Sequence, residues 1–451
     1  MFLKQPLKKI LAAQPRPILA LLAGLCLLPL PGSADDAFPG AVGWAAATPG
    51  GRGGQIIRVT NLDNAGPGSL RAALDTKGPR IVVFEVGGVI DLEQETIRLT
   101  EPFVTIAGQT APSPGITLIK GGIDISAHDV IVQHLRIRPG AAGAARGSGW
   151  GEDAIATAAA RNVIVDHCSL TWATDENLSA SGPRFTGKTP AEWRAGTSHN
   201  ITFSHNIIAE GLADSSHAKF EHSKGSLIHD NASNILIYGN LYSHNFERNP
   251  HLKGGAQALV VNNFIYDPGQ RAMQYNLMPL EWGDVPYENG KLAAIGNVMR
   301  AGPSTVLPIA MLMLGGHGDL EFYGRDNIAV DRIGEPLPMV GRYTTGPAKV
   351  IEMDEPPLFW PGLPIHPAGE VELWVLRNAG ARPWDRDAQD VRIIMNAGEG
   401  RGEIIDNEAE VGGYPSAAMT RKPFRPQDWQ LDTMTPKRPE VLDSSAKARG
   451  T

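Results

Sequence analysis

Apolar residues in this chain fall mostly in short runs at strand spacing. Gln55–Thr60, Ile81–Val86, Thr96–Leu99, Val104–Ile106 and Ile116–Ile119 each predict a strand, and Ser69–Leu74, introduced by Pro67-Gly68, predicts a short amphipathic helix. From about residue 100 the runs become repetitive. Asn162-Val-Ile-Val-Asp-His-Cys168, Asn200-Ile-Thr-Phe-Ser-His-Asn206, Asn234-Ile-Leu-Ile-Tyr-Gly-Asn240, Gln257-Ala-Leu-Val-Val-Asn-Asn263 and Lys291-Leu-Ala-Ala-Ile-Gly-Asn297 share one pattern, and each recurs about one coil length after the last. Repeats of this length are stacked units that cannot bury an apolar face alone. Because each unit is strand-like, helical repeats and α/β crossovers are excluded, and an all-β parallel β-helix, a solenoid, is the natural solution. The recurrent Asn at one turn then bonds the Asn above and below as a ladder. Cys168 holds the first position of that ladder, as a small buried residue.

The rung spacing also locates insertions, at Gly140–Gly151 and Ser181–Ser198. Past residue 345, Pro356-Pro357, Pro361, Pro364 and Pro367 break the strand pattern. Asp385–Asn396, started by Trp384-Asp385-Arg386-Asp387, predicts a short helix there, and the tail from Gly412 is polar. The organisation expected is a leader over 1–34, a β-helix over 35–345, and a long, mostly irregular C-terminal extension over 346–451 packed on the solenoid, its tail disordered.

Charge and composition narrow the function. Lys4, Lys8, Lys9 and Arg16, an apolar run from Ile18 to Leu30, and Gly32-Ser33-Ala34 read as a secretory signal peptide cleaved after Ala34. The run is short of the roughly 20 residues that span a bilayer, so export, to the periplasm or the medium, is expected without a membrane anchor. Removal of the leader takes the formal net charge from −7 to −11 and leaves one cysteine. A chain this acidic lacks the basic field of a nucleic-acid binder, and without an internal disulfide it depends on a large core. A monomer is expected.

Two sets of side chains carry candidate chemistry. Lys224, Arg248 and Lys253 place three cations near one strand end, the last two in Arg248-Asn-Pro-His-Leu-Lys253, where a polyanionic sugar can lie; singly, each also reads as a solvated surface residue. Asp153, in Gly151-Glu-Asp-Ala-Ile155, and Asp175, in Thr174-Asp-Glu-Asn-Leu-Ser179, lie one coil length apart, a spacing that lets them stack on adjacent coils and share a hard cation such as Ca²⁺. Ordinary solvated acids are the plain alternative. Seven of the twelve histidines fall between His199 and His251, but their spacing matches no zinc pattern, so they read as turn and ladder residues.

Ala37-Phe-Pro-Gly40, Gly50–Gly54, Val59-Thr-Asn-Leu62, Gly66-Pro-Gly-Ser-Leu-Arg71, Ala107-Gly-Gln-Thr-Ala-Pro112, Val165-Asp-His167, Lys224 and the Arg-x-Pro-x-x-basic motif at 248–253 together resemble pectate lyases, right-handed parallel β-helix polysaccharide lyases, in their bacterial members. The resemblance runs from about residue 37 to 415. It implies that Asp153 and Asp175 bind calcium, that Lys224 and Lys253 bind substrate carboxylates, and that Arg248 is the catalytic base. Two positions depart from the family pattern. Ser179 stands where a second acid is expected four residues past Asp175, leaving Glu176 or Asn177 to complete the calcium site, and Lys253 stands where arginine is more usual, losing the bidentate fork.

The implied reaction is calcium-assisted β-elimination across C4–C5 of a uronate in pectate (polygalacturonate), a homogalacturonan-like acidic polysaccharide. An arginine base with an ordinary pKa of about 12.5 or above must be depressed, or else must stay charged and stabilise the enolate; both readings predict activity rising into alkaline pH. Gly316-His317-Gly318 is similar to part of the signature of the glycoside hydrolases that share this architecture, but the paired acids and Arg-x-Lys that such hydrolysis needs are missing. A non-catalytic carbohydrate-binding β-helix is the other alternative.

Overall fold

The structure is a computed structural model, and it describes residues 36–437. The leader over 1–34 and the end of the polar tail lie outside the described residues. Three long sheets of 11, 9 and 10 strands run the length of the molecule, and nearly every coil of chain gives one strand to each. One coil, for example, contributes His199–Ser204, Ile207–Ala209 and Lys224–Ile228, and the next contributes Ser233–Tyr238, Leu241–Ser243 and His251–Lys253. All pairings in the stack are parallel except at its edge, where Thr420–Arg421 adds antiparallel to Val86–Asp91. This is the parallel β-helix that the repeats predict.

Register reproduces the repeat spacing. Val163 pairs with Ile201, Ile201 with Ile235, Ile235 with Ala258 and Ala258 with Leu292, the same offsets that separate the motifs in sequence. The coils differ in length only in their loops, so equal positions of the motif stack on one another. Val163, Val165, Ile201, Phe203, Ile235, Ile237 and Val260 point inward and form the buried interior with their equivalents. The Asn ladder forms as expected: Asn206 N–H and Nδ2 donate to Asn240 Oδ1 at 2.8 and 3.0 Å, Asn240 donates in the same way to Asn263, and Asn263 to Asn297. Cys168 N–H donates to Asn206 Oδ1 at 2.8 Å, and burial pushes its thiol up to about 12, so it is an inert rung. Asn327 adds a rung beyond the repeats recognised in sequence.

The predicted short helix is α1 (Leu70–Leu74), capped by the Ser69 hydroxyl. The insertion over 181–198 contains α2 (Pro190–Gly196), started by a capping box between Thr189 and Glu192 with Pro190 at its first position. A single turn, α3 (Pro279–Trp282), follows another strand. In the C-terminal extension, α4 (Ala368–Asn378) follows Pro367 and is hidden in sequence by the prolines around it. The helix expected near 385–396 is α5 (Ala388–Glu399), with Asp387 as N-cap and Gly400 in the left-handed region as C-cap. Parallel stacking continues to Val350–Glu352. No helix among the described residues is long and apolar enough to cross a membrane.

The extension matters because β-strands have two faces. Ile207, Leu241, Phe264 and Tyr266 of the ten-stranded sheet point outward and are covered by Val371 and Val375 of α4 and Ile393 and Ala397 of α5. Buried Arg136 and Arg138 on the same sheet are paired with Asp387 and Asp390, which ties α5 down. The outer face of the eleven-stranded sheet is covered by Val42 and Leu363 over Leu236 and Leu259. On the nine-stranded sheet the outward row reads Ser179, Leu227, His251, Gln274, with Lys253 and Asn276 in the next row. The polar site grows on that sheet.

Candidate active site

Glu176 heads one strand of the nine-stranded sheet and pairs directly with Lys224 at the head of the next. On the other side Ile155 pairs with Leu178, and the same register carried back along both strands sets Asp153 beside Glu176. Asp153 is therefore not directly beneath Asp175, as their sequence spacing suggests. The three acids still converge: one carboxylate oxygen from each of Asp153, Asp175 and Glu176 lies within 4.8 Å of the others. Asp153 Oδ1 accepts from Glu176 N–H at 2.9 Å, and Oδ2 accepts from the Ser179 hydroxyl at 2.6 Å. Ser179 thus occupies the expected fourth position as a hydrogen-bond donor in place of an acid.

Electrostatics mark this cluster as short of positive charge. Burial, and then the neighbouring Asp175 carboxylate, hold Asp153 well above the usual carboxylate range. Burial also pushes Asp175 upward, but the hydrogen bond and charge of His222 outweigh it and keep Asp175 below its ordinary value. His222 Nε2 lies 2.6 Å from Asp175 Oδ1 and His217 Nε2 3.8 Å from Oδ2, the two rings stacked with centroids 3.9 Å apart. Three crowded carboxylates with a hydroxyl are a hard-oxygen donor set that fits a divalent cation. The residues present therefore fit Ca²⁺, with Glu176 supplying the carboxylate that position 179 lacks.

The three predicted cations share a cleft of about 410 Å³ with Asp175 and Glu176 or border it. Arg248 takes a left-handed backbone, φ 66, and its N–H donates to Gln274 Oε1 at 2.6 Å. Gly225 makes room for that turn, because a Cβ there would sit 2.5 Å from the Arg248 carbonyl oxygen. The Arg248 guanidinium is ion-paired to Glu176, its Nε has no hydrogen-bond partner, and burial lowers its pKa despite Asp175 and Asp153. Lys224 is paired with Glu247, and burial followed by the Arg271 charge lowers it to about 8. Lys253 is paired with Glu281 and lies 3.7 Å from Asp230.

None of the three is a bare surface cation, and this pairing is not legible in sequence. Glu247, Glu281, Asp230 and Arg271 come from loops and strands whose approach only the coil stacking decides. Glu247 adjoins Arg248 in sequence, yet it pairs with Lys224 and Arg271 instead. His217 and His222 are visible in sequence only as part of the histidine-rich stretch. The cleft lining carries Lys219, Arg248, Lys253 and Arg271 against Asp175, Glu176, Glu247 and Glu281. Positive and negative charge balance there, so the cleft by itself has no surplus attraction for a polyanion.

No protein-family model matches the chain. Curated relatives do. A "Probable pectate lyase C" of Aspergillus terreus is 35% identical over 390 residues, 84% of this chain and 82% of that protein. Its namesake in Neosartorya fischeri is 34% identical over 383 residues, 84% of this chain and 81% of that protein. The match to the Emericella nidulans protein of the same name, 39% identical, spans 62% of this chain and only 57% of the relative's length. These relatives are fungal, so the expected likeness to bacterial members in particular is not supported. Among solved structures, jun a 1, the major allergen from cedar pollen, aligns with a TM-score of 0.53 at 18% identity over 75% of this chain and 92% of its own, which supports the fold. With two relatives matched at 35% and 34% identity over most of both chains, the chain belongs to the pectate lyase family of polysaccharide lyases.

Proposed function

We propose that this enzyme cleaves polygalacturonate by β-elimination in the cleft on the nine-stranded sheet, with Arg248 at the reacting carbon and Lys224 and Lys253 on substrate carboxylates. The observation that carries this reading is the convergence of Asp153, Asp175 and Glu176 beside the Arg248 guanidinium. When bound at these acids, Ca²⁺ supplies the positive charge that neutralises a uronate carboxylate and acidifies its C5 proton. This chain's own residues do the rest. Lys224 and Lys253 hold adjacent carboxylates in register along the cleft, already desolvated at 4% and 7% exposure. Arg248, buried and depressed in pKa, lies where a C5 proton is removed, and Glu176 orients its guanidinium.

Residues 1–34 then act as an export leader, 35–345 as the catalytic β-helix and 346–451 as its packed extension, in a secreted, monomeric enzyme. Calcium-dependent growth of absorbance near 235 nm on polygalacturonate tests the reaction, since a hydrolase yields reducing ends without that signal and a binding protein yields neither. Arg248→Lys is expected to lower kcat about 10²- to 10³-fold, the size of losing one preorganised donor, with a smaller change in KM. A variant with near-normal turnover would remove Arg248 from the base role.

A further inference from the structure

On three consecutive coils the residue that turns the chain from the eleven-stranded into the ten-stranded sheet is a histidine: His134, His167 and His205, with φ 58, 48 and 53. This corner belongs to the two sheets that do not carry the cleft. On later coils the same corner is Gly239, Asn262, Gly296 and Asp326, also with positive φ. The three rings stack, with centroids 5.2 Å apart between His134 and His167 and 4.6 Å between His167 and His205.

Their hydrogen bonds settle which nitrogen is free. His134 Nδ1 lies 2.7 Å from the Ala381 carbonyl oxygen, which can only accept. His167 Nδ1 and His205 Nδ1 reach the two oxygens of Asp166 at 2.8 and 3.2 Å. Asp166 also accepts from Gln133 Nε2 and the Ser204 hydroxyl, so it is an ionised acceptor surrounded by donors. Each imidazole therefore keeps its hydrogen on Nδ1 when neutral and offers a lone pair at Nε2, and burial favours the neutral form of His134 and His205. No protein group bonds any of these Nε2 atoms among the described residues. All three rings line one cavity of about 490 Å³, walled by Phe38, Trp384, Trp429 and Met434.

An imidazole that donates Nδ1–H to a carboxylate or carbonyl and presents Nε2 is the arrangement that tunes metal-ligating histidines. Hard cations prefer oxygen, whereas imidazole suits Zn²⁺, Ni²⁺, Co²⁺ or Cu²⁺. We propose that His167 and His205, backed by Asp166, form a second metal site that takes a borderline divalent ion such as Ni²⁺ or Zn²⁺. It is separate from the acidic cluster in the cleft. Two nitrogens bound at about 2.0–2.1 Å lie at most about 4.2 Å apart, so the stacked His167 and His205 rings must tilt toward each other to share an ion, while His134, on the far side of His167, is too far from His205 to join them. One ring nitrogen from each of His167 and His205 and one carboxylate oxygen of Asp166 lie within 4.8 Å of one another, which brings the two rings to one place.

The test is calorimetric titration of the full chain with NiCl₂ in excess calcium, which keeps the acidic cluster occupied. Wild type is expected to bind one ion. His167→Asn and His205→Asn should each weaken binding at least tenfold, and Asn262 shows that this corner accepts asparagine. Asp166→Asn should weaken it about 10- to 100-fold. The double variant His217→Gln/His222→Gln should bind as wild type does. Should the asparagine variants fail to fold, Cu²⁺ paramagnetic resonance of the wild type and of the His217/His222 double variant decides, since both must show coupling to at least two nitrogens. Absence of saturable binding, binding unchanged in the asparagine variants, or nitrogen coupling lost in the His217/His222 variant would overturn the assignment.

Discussion

Ser179→Asp restores the acid that the family pattern expects and probes the metal site directly. Ser179 is 3% exposed, and its hydroxyl donates to Asp153 Oδ2 at 2.6 Å. Without metal, the substitution removes a charge-assisted bond of about 1.5–3 kcal/mol. It also sets two carboxylates about 4 Å apart, a repulsion of about 4 kcal/mol at an effective dielectric of about 20. Part of that is relieved by proton uptake, because Asp153 is already held above its normal range by burial and by Asp175. A divalent ion at the same distance attracts the new carboxylate by about 8 kcal/mol on the same scale, and desolvation cancels much of it. The net expectation is a metal-free protein that melts several degrees lower and binds calcium at least tenfold tighter, which is about 1.4 kcal/mol. Calorimetric titration with calcium and thermal melting with and without it measure both. Unchanged melting together with unchanged affinity would refute the placement of Ser179 in a cation site.

The remaining expectations follow from the same contacts. Lys224, lowered to about 8, loses its charge above that pH, so KM for polygalacturonate should rise beyond pH 8 and Lys224→Arg should abolish the break. Because this folded pKa lies below the unfolded value of about 10.4, the unfolded chain holds the extra proton between the two, and this group's contribution to stability grows with pH across that window; melting of wild type against Lys224→Met checks the sign. Asn240→Ala strands the donors of Asn206 and the acceptor of Phe203 in the interior and should cost roughly 3 kcal/mol in denaturant unfolding. Asp390→Ala leaves buried Arg136 and Arg138 short of a partner and should cost roughly 3–5 kcal/mol, with amide exchange rising first in α5.

Much of the solenoid is legible in the sequence, because coil stacking makes the fold nearly one-dimensional. The offset between like motifs is the register itself, so Asn206, Asn240, Asn263 and Asn297 have to meet once the coils are parallel. Strand limits are legible for the same reason, and the strand expected at Ile116–Ile119 is found with those bounds. Helix α4 is not, since its Pro367 start reads locally as a breaker and its apolar stripe has meaning only against the outward face of the ten-stranded sheet. Residue type and motif identify the acids and cations of the site one by one.

Their relations emerge only in three dimensions. Strand lengths do not reveal the register that brings Glu176 and not Asp175 alongside Asp153. Nor does the sequence show that Glu247 serves Lys224, that His217 and His222 flank Asp175, or that Asp166 holds His167 and His205 from two coils at once. Periodic apolar burial is a property of neighbours along the chain, so it is written in the order of the residues. Charge pairing depends on side-chain ends from separate coils and inserted loops arriving within a few ångströms, a coincidence that exists only once the coils have stacked.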